Sequence, residues 1–204
     1  MGLQRFIHKV SPQLTQDAQF KAYGDIPENQ LTPGSTVELY PGTYSNITCA
    51  NGVGIVGVGS PTDVTVPGNA VSVAGPSTAA KLFVKDVIFN LSTGGVTPVA
   101  NANTIQVAGT GAVTLENVQF LGHQRGNLKA PLATANIINS VLSVSATADM
   151  AVKAAAIRYV GTTIRGAGRA NVHGGTAKAD NIIGQYTPSG ATITAAAQQY
   201  RGKL

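Results

Sequence analysis

Acid–base chemistry on a polysaccharide needs two carboxyl groups about 5–10 Å apart, and this chain has few to offer. From residue 64 onward it holds four acids, Asp86, Glu116, Asp149 and Asp180. Asp86 and Glu116 fall at neighbouring points of the repeat described below, so they are the pair that folding could bring together. The alternative is that each turns a corner or faces solvent, and that reading is preferred. Calcium-assisted lyase chemistry would need acids gathered on one face beside an Arg or Lys, and the sequence shows no such cluster. His8, His123 and His173 lack His-x-His or His-x-x-x-His spacing, so they read as surface or loop histidines and not as metal ligands. The one cysteine, Cys49, follows Ile47 at strand spacing with no histidine nearby, as an inert buried thiol would. The glycine-rich stretches 52–59 and 166–175 end in no Lys-Ser or Lys-Thr and open no helical pattern, so they form no phosphate cradle. No metal or cofactor is expected.

The composition narrows the class. The chain has 204 residues, 43% hydrophobic and only 11% charged, with 24 glycines. That length suits one domain with a sizeable core, and that hydrophobicity excludes a disordered chain. No apolar run of about 18 residues is present, so no membrane-spanning helix is expected. The basic N-terminus lacks an apolar stretch and does not read as a signal peptide, and one cysteine allows no intrachain disulfide. Charge is uneven: residues 1–120 carry five Lys/Arg against seven acids, whereas 121–204 carry nine against two. Such a basic half is either a solvated face or a surface for an acidic partner. Nucleic acid is not expected, because the basic residues are scattered and Tyr159, Tyr186 and Tyr200 are the only aromatics there.

What would position these residues is a repeat of strands. Leu82-x-Val84-x-Asp86-Val87-x-Phe89 matches Val113-x-Leu115-x-Asn117-Val118-x-Phe120, and the register continues through Asn139, Gly161 and Asn181. Alternation places one set of side chains on one face, and an Asp, Asn or Gly at the slip permits a left-handed corner. The corner residues are 31, 22, 22 and 20 positions apart. The longer step holds a second match, Val71-Ser72-Val73-Ala74-Gly75 against Ile105-Gln106-Val107-Ala108-Gly109. One bent strand pair per period of about 22, with no helix between, describes a stacked solenoid. A hairpin meander is the rival architecture.

Residues 35–66 add Ser35-Thr36-Val37-Glu38-Leu39-Tyr40-Pro41-Gly42-Thr43-Tyr44 and then Gly57-Val58-Gly59. This resembles the opening coils of pectate-lyase-like right-handed parallel β-helix proteins. With the repeat, the resemblance covers roughly 35–185. It implies an all-β right-handed parallel β-helix over 35–185, an N-terminal arm or cap over 1–34, and a C-terminal cap or tail over 186–204. In the arm, Phe6, Ile7, Val10 and Leu14 are read as one amphipathic turn stopped at Ser11-Pro12. That fold hosts lyases, esterases, phage spikes and capsid-decorating proteins, so it does not fix an activity.

Phe120-Leu121-Gly122-His123-Gln124-Arg125 resembles a pectin methylesterase stretch, with His123 and Arg125 where that family has Tyr and Asp. The equivalent partner coil, 137–142, has no acid. Without a carboxylate nucleophile and a proton-donating acid, that activity is not expected. A β-helix with few charges and no catalytic constellation reads as a structural protein and not an enzyme. The expectation is a bacteriophage virion component assembled in the host cytoplasm, foremost a capsid-decorating (cement) protein and otherwise a small tail or baseplate spike. A carbohydrate-active β-helix enzyme and an adhesin are the other readings. The expected partners are its own copies, as a homotrimer, and a major capsid or other virion protein, with no membrane. Arg158, Arg165, Arg169 and Lys178 are the candidate partner-binding residues.

Overall fold

A computed structural model describes residues 6–14, 18–44, 47–48, 52–60, 62–67, 71–73, 80–90, 103–121, 126–143, 150–165, 169–172, 176–180, 183–184 and 192–193. The strands begin with β1 (Ile7–Val10), β2 (Thr36–Leu39), β3 (Gly42–Thr43), β4 (Ile47–Thr48), β5 (Gly54–Gly57), β6 (Val64–Pro67) and β7 (Val71–Val73). They continue with β8 (Ala80–Lys85), β9 (Ile88–Asn90), β10 (Asn103–Val107), β11 (Gly111–Glu116), β12 (Gln119–Leu121) and β13 (Gly126–Ile138). Last come β14 (Val141–Ser143), β15 (Met150–Val160), β16 (Thr163–Arg165), β17 (Arg169–Val172), β18 (Thr176–Asp180), β19 (Ile183–Gly184) and β20 (Thr192–Ile193). Two 3-10 turns, Tyr23–Asp25 and Glu28–Gln30, are the only helical elements among the described residues.

The protein is all-β, and its described strands pair in parallel. A hairpin meander would require antiparallel neighbours and is excluded for these residues. A 13-stranded and a 7-stranded sheet result. The larger contains two columns of stacked strands, joined because β13 and β15 are long enough to run through both. The first column stacks β1, β2, β5, β8, β11, the ends of β13 and β15, then β18 and β20. The second is the seven-stranded sheet, β3, β6, β9, β12, β14, β16 and β19. The third stacks β4, β7, β10, the starts of β13 and β15, then β17. Each period therefore contributes three strands, where the sequence suggested two. The third was hidden because in the later periods it runs into the following strand without a break.

The repeat sets the register. Val37, Ile55, Val84, Leu115, Ile137 and Tyr159 are successive Cα partners in the first column, and none is more than 1% exposed. Leu82, Val113 and Ala135 form a second buried row beside them. In the second column Phe89 pairs with Phe120, their rings stacked with centroids 5.1 Å apart. Between these columns the backbone turns at Asp86, Asn117, Asn139 and Gly161, with φ of 55°, 52°, 47° and 55°. Only glycine enters that region freely, and Asn and Asp enter it at modest cost. The earlier equivalent is Gly57, where any Cβ would collide with the Asp86 carbonyl oxygen.

The N-terminal segment departs from expectation. The amphipathic turn anticipated from Phe6, Ile7, Val10 and Leu14 is instead strand β1, paired residue for residue with β2. Period-2 burial follows: His8 and Val10 are buried, whereas Ile7 is 61% exposed. Adding a strand satisfies the edge of β2, which a free helical turn would leave unpaired. Residues 18–31 then fold over this end, burying Tyr23 and Ile26 in the core and packing Phe20 and Leu31 against it.

Candidate functional site

Asp86 and Glu116 do stand at adjacent corners, but each is occupied. The Asp86 Oδ1 accepts a hydrogen bond from Asn117 Nδ2 at 2.6 Å, and its backbone N–H donates to the Glu116 carbonyl at 3.1 Å. Glu116 Oε1 lies 2.8 Å from Lys85 Nζ. The hydrogen bond to Glu116, with its charge and that of Asp86, holds the Lys85 ammonium above its usual pKa. Asp25 accepts from the Ala22 N–H and Asp63 from the Ser60 N–H, each at 2.9 Å, so both close turns. Glu38 stands in register with Lys9. Asp180 ends β18 opposite Val160, and Asp149 lies outside the described residues. Among the described residues no three His, Cys, Asp or Glu side chains gather as a metal site would require.

His8 corrects the expectation of a surface histidine. It is 2% exposed and heads the inner row above Val37, with its ring between Phe6 and Phe20 at centroid distances of 5.7 and 6.0 Å. Its Nε2 is 3.1 Å from the Gln30 carbonyl oxygen, to which it can donate. A polar group survives at this depth because that bond replaces water. His123, Arg125, His173 and Cys49 lie outside the described residues. Within the esterase-like stretch, Phe120 is fully buried core.

A groove of about 330 Å³ lies on the outer face of the first column, beside Phe83, Lys81, Thr36, Thr114 and Gly54. The Phe83 ring reaches over Gly54, where a Cβ would stand 3.6 Å from it in ordinary contact. No acid or histidine lines the groove.

The four candidate partner-binding residues divide between columns. Arg158 and Lys178 are direct Cα partners on β15 and β18. Arg165 belongs to the seven-stranded sheet, opposite Ser143, and Arg169 pairs with Met150 in the third column. Linear spacing missed another pair, Lys129 and Lys153, which are Cα partners on β13 and β15. The signal was present: Leu128-Lys129-Ala130 and Val152-Lys153-Ala154 share one pattern of apolar residue, lysine and alanine.

No protein family, curated protein or solved structure matches the chain. Among the described residues no helix is long and apolar enough to cross a membrane.

Proposed function

We propose that the three columns are the sides of one right-handed parallel β-helix, and that the chain is a non-catalytic structural protein attached to a larger particle. From β2 to β19 the chain visits first, second and third columns in a constant cyclic order, which supports a coiled path. The resemblance to pectate-lyase-like β-helix proteins then leads to a bacteriophage virion component, foremost a capsid-decorating protein, working as a homotrimer after assembly in the host cytoplasm. One observation carries the non-catalytic reading. Asp86 and Glu116, the carboxylates that adjacent corners bring together, are both bound into the scaffold, one in the corner and one in an ion pair. General acid–base work needs carboxyl groups free to exchange protons with a substrate.

Mass spectrometry of particles from the gene's source, and rebinding of the purified chain to particles lacking it, test the attachment. Saturable binding that raises the particle's resistance to heat supports decoration. Absence from the particles and failure to rebind overturn it. Sedimentation at micromolar concentration tests the trimer, and a monomer overturns that part. A carbohydrate-active protein is the second reading, favoured by the groove beside Phe83, since an aromatic face can stack on a sugar ring. Turnover of a pectin or capsular polysaccharide that is lost in Asp86→Asn would establish it instead.

A further inference from the structure

Parallel columns bring residues of successive strands to within about 4.8 Å, so the sign of each in-register charge pair matters. Toward the N-terminus the pairs are opposite in sign. Lys9 faces Glu38, and Lys85 faces Glu116 with an ion pair at 2.8 Å. Further along they are alike: Lys129 faces Lys153, and Arg158 faces Lys178. Both like-signed pairs involve β15, Lys153 where that strand runs in the third column and Arg158 where it runs in the first. Lys129 and Arg158 are exposed and Lys153 is half-buried. By register Asp180 stands two positions beyond Lys178, whereas Lys129 is in register with Gln106 and Lys153 and with no acid.

An apolar residue lies among these bases. The β13–β15 register shifts between Ala130 and Thr134, so three residues of β13 stand where β15 supplies one. A bulge of this kind re-aims a side chain. Here Leu132 is turned outward and left 59% exposed, while Ala130 before the bulge and Ala133 within it are fully buried. Along the two strands the order is Lys129 and Lys153 in the third column, then Leu132 and the small Ala155 at the register shift, then Asn136 and Arg158 in the first column.

We infer that the outer face of β13 and β15 docks a carboxylate-rich protein surface carrying an apolar side chain at its centre. Like charges in register weaken the isolated sheet, and a bound anionic surface turns that repulsion into attraction. Leu132 selects protein over nucleic acid, because a phosphate backbone offers it no apolar complement. Single strands would also need exposed aromatic platforms, and Tyr159, the aromatic of β15, is fully buried. The inference deepens the attachment reading and rests on it for the identity of the particle.

The test uses the full chain against immobilised glutamate–leucine copolymer, poly-glutamate and duplex DNA, at low and physiological salt. The wild type should bind the copolymer most tightly. Lys129→Glu with Lys153→Glu should weaken that binding by about tenfold or more, as charge reversal at a complementary surface does. Leu132→Ser should remove the copolymer's advantage over poly-glutamate. Lys21→Ala and Lys81→Ala should change neither. If the charge reversal disturbs the β signal in circular dichroism, Lys129→Gln with Lys153→Gln replaces it and should weaken binding in the same direction. Unchanged copolymer binding in a folded double variant, or equal affinity for duplex DNA, overturns the inference. Particles that bind wild type and double variant equally overturn this face while sustaining attachment. A chain that never binds particles yet shows the copolymer pattern sustains the face while overturning attachment.

Discussion

Asn117 donates from its Nδ2 to Oδ1 of Asp86 at 2.6 Å, across 31 residues of sequence, and both residues hold left-handed backbone. The bond ties one corner to the next, so a residue type chosen for its backbone freedom also fastens neighbouring periods. The column continues through Asn139 to Gly161, where a Cβ would strike the Asn139 Oδ1. At the turn after this corner, buried hydroxyls serve the backbone: Ser140 Oγ accepts from the Val118 N–H at 3.1 Å, and Thr162 Oγ1 donates to the Ile137 carbonyl at 2.8 Å.

The two roles of Asn117 can be separated. Asn117→Gly keeps the backbone and loses the bond, so it should cost about 0.5–1.5 kcal/mol, rising toward 3 if Asp86 is left charged without its donor. Asn117→Ala adds the cost of a left-handed alanine, about 1–2 kcal/mol more. Asp86→Asn should be nearly silent, because asparagine tolerates the conformation and still offers an oxygen to Asn117. Urea midpoints rank the three variants. Equal losses for glycine and alanine at 117 would remove the backbone part of the account.

These corners explain why so much of the fold was legible. Alternation on both sides of an Asp, Asn or Gly is a local pattern, and it aligned Leu82 with Val113 and Phe89 with Phe120 as they pair. The third column was legible only where 71–73 matches 105–107. Beyond that, β13 runs from Gly126 to Ile138 through Pro131, and a proline inside a strand pattern signals a break. Strand β1 was missed because its inward positions are His8 and Val10, so four residues with a buried histidine resemble no apolar alternation. The site was less legible than the fold. Spacing in sequence grouped Arg165 and Arg169 with Arg158, whereas pairing sends them to other columns and brings Lys129 to Lys153. Charge contacts between stacked strands depend on where each chain segment re-enters its column, which composition does not reveal.

Phe120 is fully buried and stacked on Phe89, with Val118 buried two residues before it. Phe120→Ala should therefore lower stability by about 3–5 kcal/mol, the sum of lost transfer energy and an incompletely closed cavity. Phe89→Ala should cost a similar amount. The double variant should cost less than the two losses added, because the ring stack is counted in both. Strict additivity in denaturant titrations would show that the rings do not interact.

Tyr44 gives a pH dependence of definite sign. It is 3% exposed, and its hydroxyl donates toward the Val10 carbonyl at 2.8 Å beside that of Tyr40. Burial raises the phenol well above its ordinary value of 10.0. The folded state thus keeps the proton that the unfolded chain gives up near pH 10, so this contribution is complete below about pH 10 and is lost above it. Tyr44→Phe should cost about 0.5–1.5 kcal/mol near neutrality. The gap between variant and wild type should shrink as pH rises beyond 10. A gap that stays constant into alkali would mean the phenol is not held protonated.

The N-terminal segment closes the sheet end, and removing it should expose the core it covers. Deletion of residues 1–20 takes away β1, whose Val10 is fully buried against the core, and with it His8 and Phe20. Val10 alone is worth about 1.5–3 kcal/mol of burial. The deletion also frees the edge of β2, which now receives β1 along four consecutive residues, and takes the Phe6 and Val10 carbonyls from the Thr36 and Tyr40 N–H groups. Together these changes should amount to at least about 4 kcal/mol. For a chain of this size that lowers the melting temperature by about 8–16 °C. The freed β2 edge and bared interior should also promote association between copies. Differential scanning calorimetry with light scattering reads both effects. A truncated chain that melts with the full-length protein and stays dispersed would show that this segment is an appendage and not the end of the core.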